Sequence, residues 1–406
     1  MNPIYKEGTY LLGVLYISYD GILEPLGQSQ VLPYLEKLSD RGARFILLSF
    51  EKPSDIGSTM LRDTEARMAA AGIRWIPLRY HKRPVLLATG FDLLNGMLRG
   101  VIIIIRERVG VVHCRSYVAA LIGWLLKRWL GVRFLFDMRG FWADERVEGG
   151  LWRPGCFLYR LSKRLERRFL KDADEIVTLT ERARSAIESR SDVRAAQVSV
   201  IPTCVDLKKF SPRMNHRSED ASPVFIYTGS VGTWYLLNEM LRFVEQALRR
   251  FRFARLLLLT RNREEASREI EKARLATAAV TLASVPPAEI PTWLARAHAG
   301  LAFYKPGLGR QGTCPTKVGE YLAMGLPVVV NDAVGDMEQI IGGGGVGTVL
   351  SRFTPEAYDQ ALQELERLWA DPMLASRCRS VAESHFSLEM GAERYWEIYQ
   401  RLSLYP

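Results

Sequence analysis

At 406 residues, with 48% apolar and 10% aromatic residues, the chain is long enough for two cores and carries no sign of broad disorder. Its formal charge is +10, and the excess falls entirely in the first half: 33 Lys and Arg face 23 Asp and Glu up to residue 210, against 22 and 22 beyond it. Such a balance suits an anionic lipid or an anionic acceptor, or a plain basic surface, and without a stacking or groove-reading motif beside it nucleic acid is not expected as a partner.

Residues 1–20 lack the ordered basic start, apolar run and cleavage site of a secretion signal, and read as a tail running into a strand at 12–17. A helix over 29–40, a strand at 45–50, a helix over 58–71 and a strand at 74–78 follow. The most apolar stretch, 84–112, is interrupted by Asp92, Arg99, Arg106, Glu107 and Arg108. Its unbroken run, 101–105, is far too short to span a bilayer, so no transmembrane segment is expected. Strands at 111–114, 133–137, 175–179 and 198–201 complete the first set. Between them, 157–171 reads as a helix with Arg160, Lys163, Arg164, Arg167, Arg168 and Lys171 opposite Leu158, Leu161 and Leu165. That face suits an anionic membrane surface or plain solvation.

The polar, aperiodic stretch 211–224 reads as a linker between an N-terminal domain, 1–210, and a C-terminal one, 225–385. The pattern restarts with strands at 225–227, 254–260, 280–282, 299–303, 327–330 and 347–350. Helices are expected over 236–250, 355–370 and 373–385, and an aromatic-rich one over 388–402 within a terminal segment, 386–406. Strands alternating with helices at this spacing predict an α/β chain of parallel, doubly wound sheets. Five scattered cysteines (114, 156, 204, 314, 378) and five histidines argue against a disulfide framework and against a metal site, and fit a reducing, cytoplasmic setting.

The segment 312–340 carries the clearest chemistry. Pro315 suits a first helical turn, Val318, Tyr321, Leu322 and Met324 fall at helical spacing, and Gly325-Leu-Pro327 stops the helix before the strand Val328-Val-Val330. A helix start offers free N–H groups and a positive dipole end, which together suit a phosphate. Glu320, one turn in, can accept two hydrogen bonds from a sugar diol, and Lys317 lies one turn before it on the same face. The combination reads as a site for a nucleotide carrying a sugar.

The same segment resembles the donor-binding motif of retaining, family 4-type glycosyltransferases with the GT-B fold, commonly P-x-K-x-x-E-Y-x-A-x-G-x-P-V-V. Ala173-Asp174-Glu-Ile-Val-Thr-Leu-Thr, Val200-Ile-Pro-Thr-Cys-Val-Asp206 through Phe210, and Phe225-Ile-Tyr-Thr-Gly229-Ser-Val-Gly232 are similar to three further stretches of that family, in its order. The resemblance implies two Rossmann-like domains facing a cleft, with the terminal helix crossing back onto the first. It implies transfer of a sugar from a UDP- or GDP-sugar to an acceptor hydroxyl, with retention, without cofactor or metal. Glu320 would hold the ribose hydroxyls, with Thr316 and Lys317 at the helix start.

Many relatives carry a second glutamate where this chain has Gly312, and an arginine and lysine in or after the glycine turn, where it has neither. Lys317 is the first candidate to meet the diphosphate charge, with Arg261, Lys305 and Arg310 as others. Gly229, Ser230 and Gly232 can bring backbone N–H groups close to it. Gly335 and Asp336 are candidates for the pocket wall, and Glu338 for a helix cap. In the first half, Asp20, Gly27 and Gln28 resemble the loop that approaches donor phosphate or acceptor. Arg115 lies just past a strand end, whereas His113 reads more simply as a core histidine. The loop 137–145 is dense in charge, so Arg139 is expected at phosphate or acceptor, or paired internally with an aspartate, and Asp144 or Glu145 as the acceptor-orienting carboxylate.

The expected partners are therefore a nucleotide sugar, a glycan or lipid-linked acceptor, and an anionic membrane surface. The expected setting is the cytoplasm, peripheral to the inner membrane face, in bacterial surface polysaccharide or glycolipid synthesis. A sugar-nucleotide epimerase on the same scaffold and a catalytically silent donor-binding subunit are the alternatives.

Overall fold

A computed structural model describes residues 13–190, 192–193, 197–212, 222–273, 275 and 277–403. The tail before residue 13 and most of the expected linker lie outside the described residues. The first half runs β1 (Gly13–Ser18), α1 (Pro25–Gln30), α2 (Leu32–Asp40), β2 (Arg44–Glu51), α3 (Thr59–Ala70), β3 (Arg74–Arg79), α4 (Val85–Glu107), β4 (Val111–Arg115), α5 (Ser116–Leu130), β5 (Arg133–Asp137), α6 (Trp142–Glu148), α7 (Phe157–Asp172), β6 (Glu175–Thr178), α8 (Glu181–Glu188) and β7 (Val198–Val200). The second half runs β8 (Val224–Thr228), α9 (Leu237–Arg250), β9 (Arg255–Leu259), α10 (Arg263–Ala273), β10 (Val280–Ala283), α11 (Ile290–Leu294), β11 (Ala299–Ala302), α12 (Thr316–Ala323), β12 (Val328–Asn331), β13 (Gly347–Leu350), α13 (Pro355–Trp369), α14 (Leu374–Phe386) and α15 (Leu388–Ser403).

The strands form two parallel sheets, in the orders β3-β2-β1-β4-β5-β6-β7 and β10-β9-β8-β11-β12-β13. Each strand order reverses beside its first strand, at β1/β4 and β8/β11, which leaves a crevice at the C-terminal strand ends of each sheet. Strands such as Gly13–Ser18 are buried at every position, so their sequence reads as an apolar run rather than an alternation.

The helix expected over 29–40 is two helices. Val31 departs from helical geometry (φ −122°), and Pro33, at the start of α2, cannot donate back across the break. The apolar stretch 84–112 also differs from expectation, because residues 85–107 of it form one continuous helix, α4. By length and composition alone its Leu87–Glu107 part is long enough to cross a bilayer, with mean hydropathy 1.5. Here α4 lies along the sheet. Gly96 and Gly100 let it approach Phe50, Ile122 and Leu126, and buried Asp92 accepts from the Tyr19 hydroxyl and the His81 N–H, both at 3.1 Å.

The terminal helix takes the implied route. Leu388, Ala392, Tyr395, Ile398, Tyr399 and Leu402 of α15 join one core with Val14, Tyr34, Leu35 and Phe45 of the N-terminal domain. Lys37 pairs with Glu389 at 2.8 Å, and Arg401 with Glu175 at 2.8 Å. The two halves are thus tied by a helix as well as by their facing loops.

Candidate active site

Helix α12 begins at Thr316, with Pro315 as an extended cap (φ −72°) and no side chain accepting from its first-turn N–H groups. The Val318 N–H bonds back to the Pro315 carbonyl at 3.0 Å, and the N–H groups of Thr316 and Lys317 stay available to a ligand. Opposite them is the turn after β8, where Gly229 and Gly232 have φ of +128° and +75°. The φ of Gly229 favours glycine, and a Cβ there would also stand 3.0 Å from the Lys317 Nζ, displacing the ammonium.

Lys317 is buried, and its ammonium makes no hydrogen bond to any described residue. Instead it lies 4.0 Å from the ring centroid of Tyr227, 4.1 Å from that of Tyr235 and 5.8 Å from that of Tyr304. Three ring faces hold the cation while leaving its N–H donors unspent. Burial pulls the Lys317 ammonium down to about 7, with the Glu320 charge opposing. Burial likewise pushes the half-buried Glu320 carboxyl up to about 7, against the pull of Lys209 and Lys317. Tyr321, the next residue, turns inward and accepts from the Thr228 N–H at 2.9 Å, which locks α12 against β8.

A second buried cation stands nearby. Arg310, on the single turn Leu308–Gly312, has no hydrogen bond at Nε or Nη2. Its nearest charges, Glu145 at 3.7 Å and Glu148 at 3.6 Å, come from α6 of the other domain and are too far for hydrogen bonds. The Arg310 guanidinium also lies 5.9 Å from the Trp234 ring centroid. Further contacts close the domains together: Trp234 donates to the Glu145 carbonyl at 3.1 Å, the Gly309 N–H to the Glu148 carboxylate at 2.6 Å, and the Thr203 hydroxyl to the Cys314 carbonyl at 2.7 Å.

On the N-terminal side, Asp137 is buried among Arg115 (3.9 Å), Arg139 (3.8 Å) and His113 (3.6 Å). Burial alone would raise its carboxyl, but Arg139, His113 and Arg115 outweigh it and hold Asp137 below its usual range. Arg139 has φ +62°, a conformation a non-glycine residue keeps only when its surroundings impose it. Asp137 holds both guanidinium groups at the wall without saturating them, since Arg115 Nη1 makes no hydrogen bond. His113 is buried in the core with Nδ1 2.7 Å from the Tyr399 hydroxyl, while Nε2, 3.6 Å from Asp137, makes no hydrogen bond to a described residue.

Lys317, Glu320, Arg310, Arg115, Arg139 and Glu145 border one cavity of about 720 Å³ between the two sheets. The sequence matches a glycosyl transferase 4-like domain over residues 28–204 and the glycosyl transferases group 1 domain over residues 222–368. The chain belongs to the GT-B glycosyltransferases of group 1. No curated protein matches it at the sequence level. Among solved structures it is similar to a glycosyltransferase from Rickettsia africae ESF-5 (15% identity, TM-score 0.72, 98% of this chain and 100% of that one). It is similar also to sucrose-phosphate synthase from Thermosynechococcus elongatus (16% identity, TM-score 0.72, 97% and 100%). A third is HepE from Anabaena in complex with UDP and glucose (12% identity, TM-score 0.68, 96% and 100%). At these identities the likeness bears on the fold alone.

In this glycosyltransferase, eleven of the candidate residues singled out in the sequence line the cavity: Asp20, Arg115, Arg139, Glu145, Gly229, Ser230, Arg261, Arg310, Thr316, Lys317 and Glu320. Others do not. Gly27 is buried against the backbone of Ile22, and Gln28 donates to the Ile22 carbonyl at 3.0 Å, so both shape the loop behind Asp20. Asp144 accepts from the Tyr159 hydroxyl and from Lys163, both at 2.9 Å. Gly232 faces the Glu265 carboxylate, and Gly335 (φ +45°) packs on the Thr313 carbonyl.

Asp336 takes a different part from the one expected. It accepts from the Glu181 N–H at 2.7 Å and the Arg182 N–H at 3.1 Å, capping α8 of the other domain. The aromatic cage of Tyr227, Tyr235 and Tyr304 was not read from the sequence. Only the density of tyrosines at 227, 235 and 304, each at or just past a strand end, hints at it.

Proposed function

We propose that this glycosyltransferase moves a sugar from a UDP- or GDP-linked donor to an acceptor hydroxyl, with retention at the anomeric carbon and without a metal ion. The observation that carries the reading is Lys317: a buried ammonium held by ring faces, its donors unpaired, between a glycine turn and a helix start. A diphosphate is the ligand that would satisfy all three at once. Arg310, ion-paired to Glu145 and Glu148 but without a hydrogen bond at Nε or Nη2, supplies a second cation, so two side chains and the N–H groups of α12 meet the leaving diphosphate. Glu320, one turn along, accepts from the ribose hydroxyls. HepE, of the same fold, binds UDP and UDP-glucose, which supports a nucleotide sugar as the partner here.

Same-face attack accounts for retention. The bond from the anomeric carbon to the diphosphate oxygen breaks as the acceptor oxygen bonds from the same side, and the acceptor proton passes to the departing phosphate oxygen. Glu145, whose carboxyl burial raises against the pull of Arg310, orients the acceptor from the N-terminal wall. The basic excess of that half suits an acceptor in bacterial surface glycan or glycolipid synthesis at the cytoplasmic side. The test is thermal unfolding with UDP, GDP and their sugars: a ligand held a hundredfold above its dissociation constant adds about 2.7 kcal/mol. The reading fails if no nucleoside diphosphate shifts the transition, or if Lys317→Met responds as the wild type does.

A further inference from the structure

Three helices cover one face of the N-terminal sheet, α4 beside α5 and α5 beside α7. On α4, Leu87, Phe91, Leu94, Leu98, Ile102 and Ile105 are exposed, from 44% at Ile102 to 75% at Leu87. Steps of three and four residues put them on one stripe, about 27 Å long at about 1.5 Å per residue. The other side of α4 faces the core through Ala88, Ile103 and Ile104. The helix is therefore apolar towards the sheet and apolar outward, and nothing described covers the outward stripe. Trp129 at the end of α5, and Phe157 and Leu161 at the start of α7, are exposed apolar residues of the same helical layer.

The charges on these helices are arranged to one sign. Arg160, Arg164, Arg167, Arg168 and Lys171 stand exposed along α7, and none forms an ion pair with a described residue. Arg99 and Arg106 on α4 and Arg128 on α5 extend the same surface. The acids of the three helices are all withdrawn. Asp92 is buried under His81 and Tyr19, Glu107 is paired to Arg44 and Arg74, Glu166 is buried under Tyr117 and Lys163, and Asp172 accepts from Trp124. An apolar stripe beside unpaired cations, with no exposed acid, is complementary to a bilayer with anionic headgroups and an apolar interior.

We propose that this face is a membrane-docking surface: the α4 stripe enters the headgroup boundary of an anionic bilayer, and the α7 arginines bind its phosphates. Helix α4 follows β3, and α7 follows β5 by way of α6, so both begin on the side of the sheet where the parallel strands end. The docking inference stands apart from the donor site, since it is read without any nucleotide.

The test is co-flotation of the full chain with vesicles of phosphatidylglycerol and phosphatidylethanolamine, and with phosphatidylcholine alone. The wild type is expected to float with the anionic vesicles and to be released by salt. Leu94→Gln, Leu98→Gln and Ile102→Gln together should weaken that binding at least about tenfold, with an unchanged melting temperature. Arg160→Gln, Arg164→Gln and Arg168→Gln, whose side chains support no packing, should weaken it by about tenfold or more at low salt and flatten its salt dependence. The proposal is overturned if the wild type ignores anionic vesicles, or if both variants bind them as the wild type does. It is equally overturned if the wild type is a dimer in solution that the α4 substitutions dissociate, for the stripe would then face a second copy of the chain.

Discussion

Gly312 and Gly140 meet backbone to backbone across the domain junction: a Cβ on Gly312 would stand 3.0 Å from the Gly140 Cα. At the position where many related enzymes carry a glutamate, a side chain in this chain would press on the 140–141 backbone while the domains are docked. A carboxylate reaches the same junction from the other side, since a Cβ on Gly140 would lie 2.9 Å from Glu145 Oε1 and 3.5 Å from the Gly312 carbonyl. Restoring the glutamate should therefore harm rather than help. Gly312→Glu is expected to lose about 1–3 kcal/mol of stability through the forced shift of the 140–141 backbone. Thermal unfolding and transfer assays should both fall; a gain in transfer rate would show that the junction opens freely.

Lys317 separates binding from stability. A buried ammonium without a hydrogen-bonded partner costs free energy in the empty protein. Lys317→Met should thus leave the melting temperature of the free protein unchanged or higher. It should remove about 1.5–3 kcal/mol of nucleoside diphosphate binding, the worth of a charged hydrogen bond. Titration calorimetry with UDP and GDP measures the second effect and a thermal scan the first. A variant that melts lower and binds normally would make Lys317 a packing residue.

The two groups titrate in opposite senses, which sets a pH dependence. Lys317 sits at about 7 in the empty site and must be protonated to meet a phosphate, so binding takes up a proton above that pH. Glu320, also raised to about 7, accepts from both ribose hydroxyls best as a carboxylate, so binding releases a proton below it. Donor affinity should peak close to neutrality and fall on both sides. Glu320→Gln should flatten the acid limb and Lys317→Met the alkaline limb. Affinity that is level from pH 5 to 9 would remove both assignments.

Much of this architecture is legible in the sequence because parallel strands buried on both faces read as short apolar runs. The thirteen strands of the described residues fall where runs such as Val111-Val-His-Cys and Val328-Val-Val occur, the edge strands β3 and β10 being less buried than the rest. Helix α4 escaped for a related reason: with Leu87 through Ile105 apolar outward and Ile103 and Ile104 apolar inward, no helical period remains to be seen. Lys317 and Glu320 were legible because one helix start fixes both. The role of Asp336 was not, since its partners are backbone groups 154 and 155 positions away in the chain. The same holds for Gln28, whose partner is decided by how a loop folds back rather than by the residue type.

Asp336 offers a way to loosen the domains without touching the cavity. Its carboxylate caps the first turn of α8 from across the junction, where a negative charge also suits the helix dipole. Asp336→Ala should cost about 1 kcal/mol of stability. It should also raise the protease sensitivity of the linker region, while residues of the donor site stay in place. Unchanged melting and digestion would mean that the Trp234, Gly309 and Thr203 contacts suffice to hold the domains closed.

Under the proposed function, Glu145 is the residue that bears on the chemical step. It lines the cavity wall opposite Lys317, lies 3.7 Å from Arg310, and burial keeps its carboxyl above the usual range. As a group that orients the acceptor, it should matter to turnover and little to donor binding. Glu145→Gln is expected to keep the thermal shift given by the nucleoside diphosphate and to lower kcat about a hundredfold through lost positioning. Were Glu145 instead a nucleophile, mass spectrometry of the protein incubated with donor alone would find a hexose on the peptide that contains it. Same-face attack predicts no such adduct, because the sugar leaves the diphosphate only as the acceptor hydroxyl arrives.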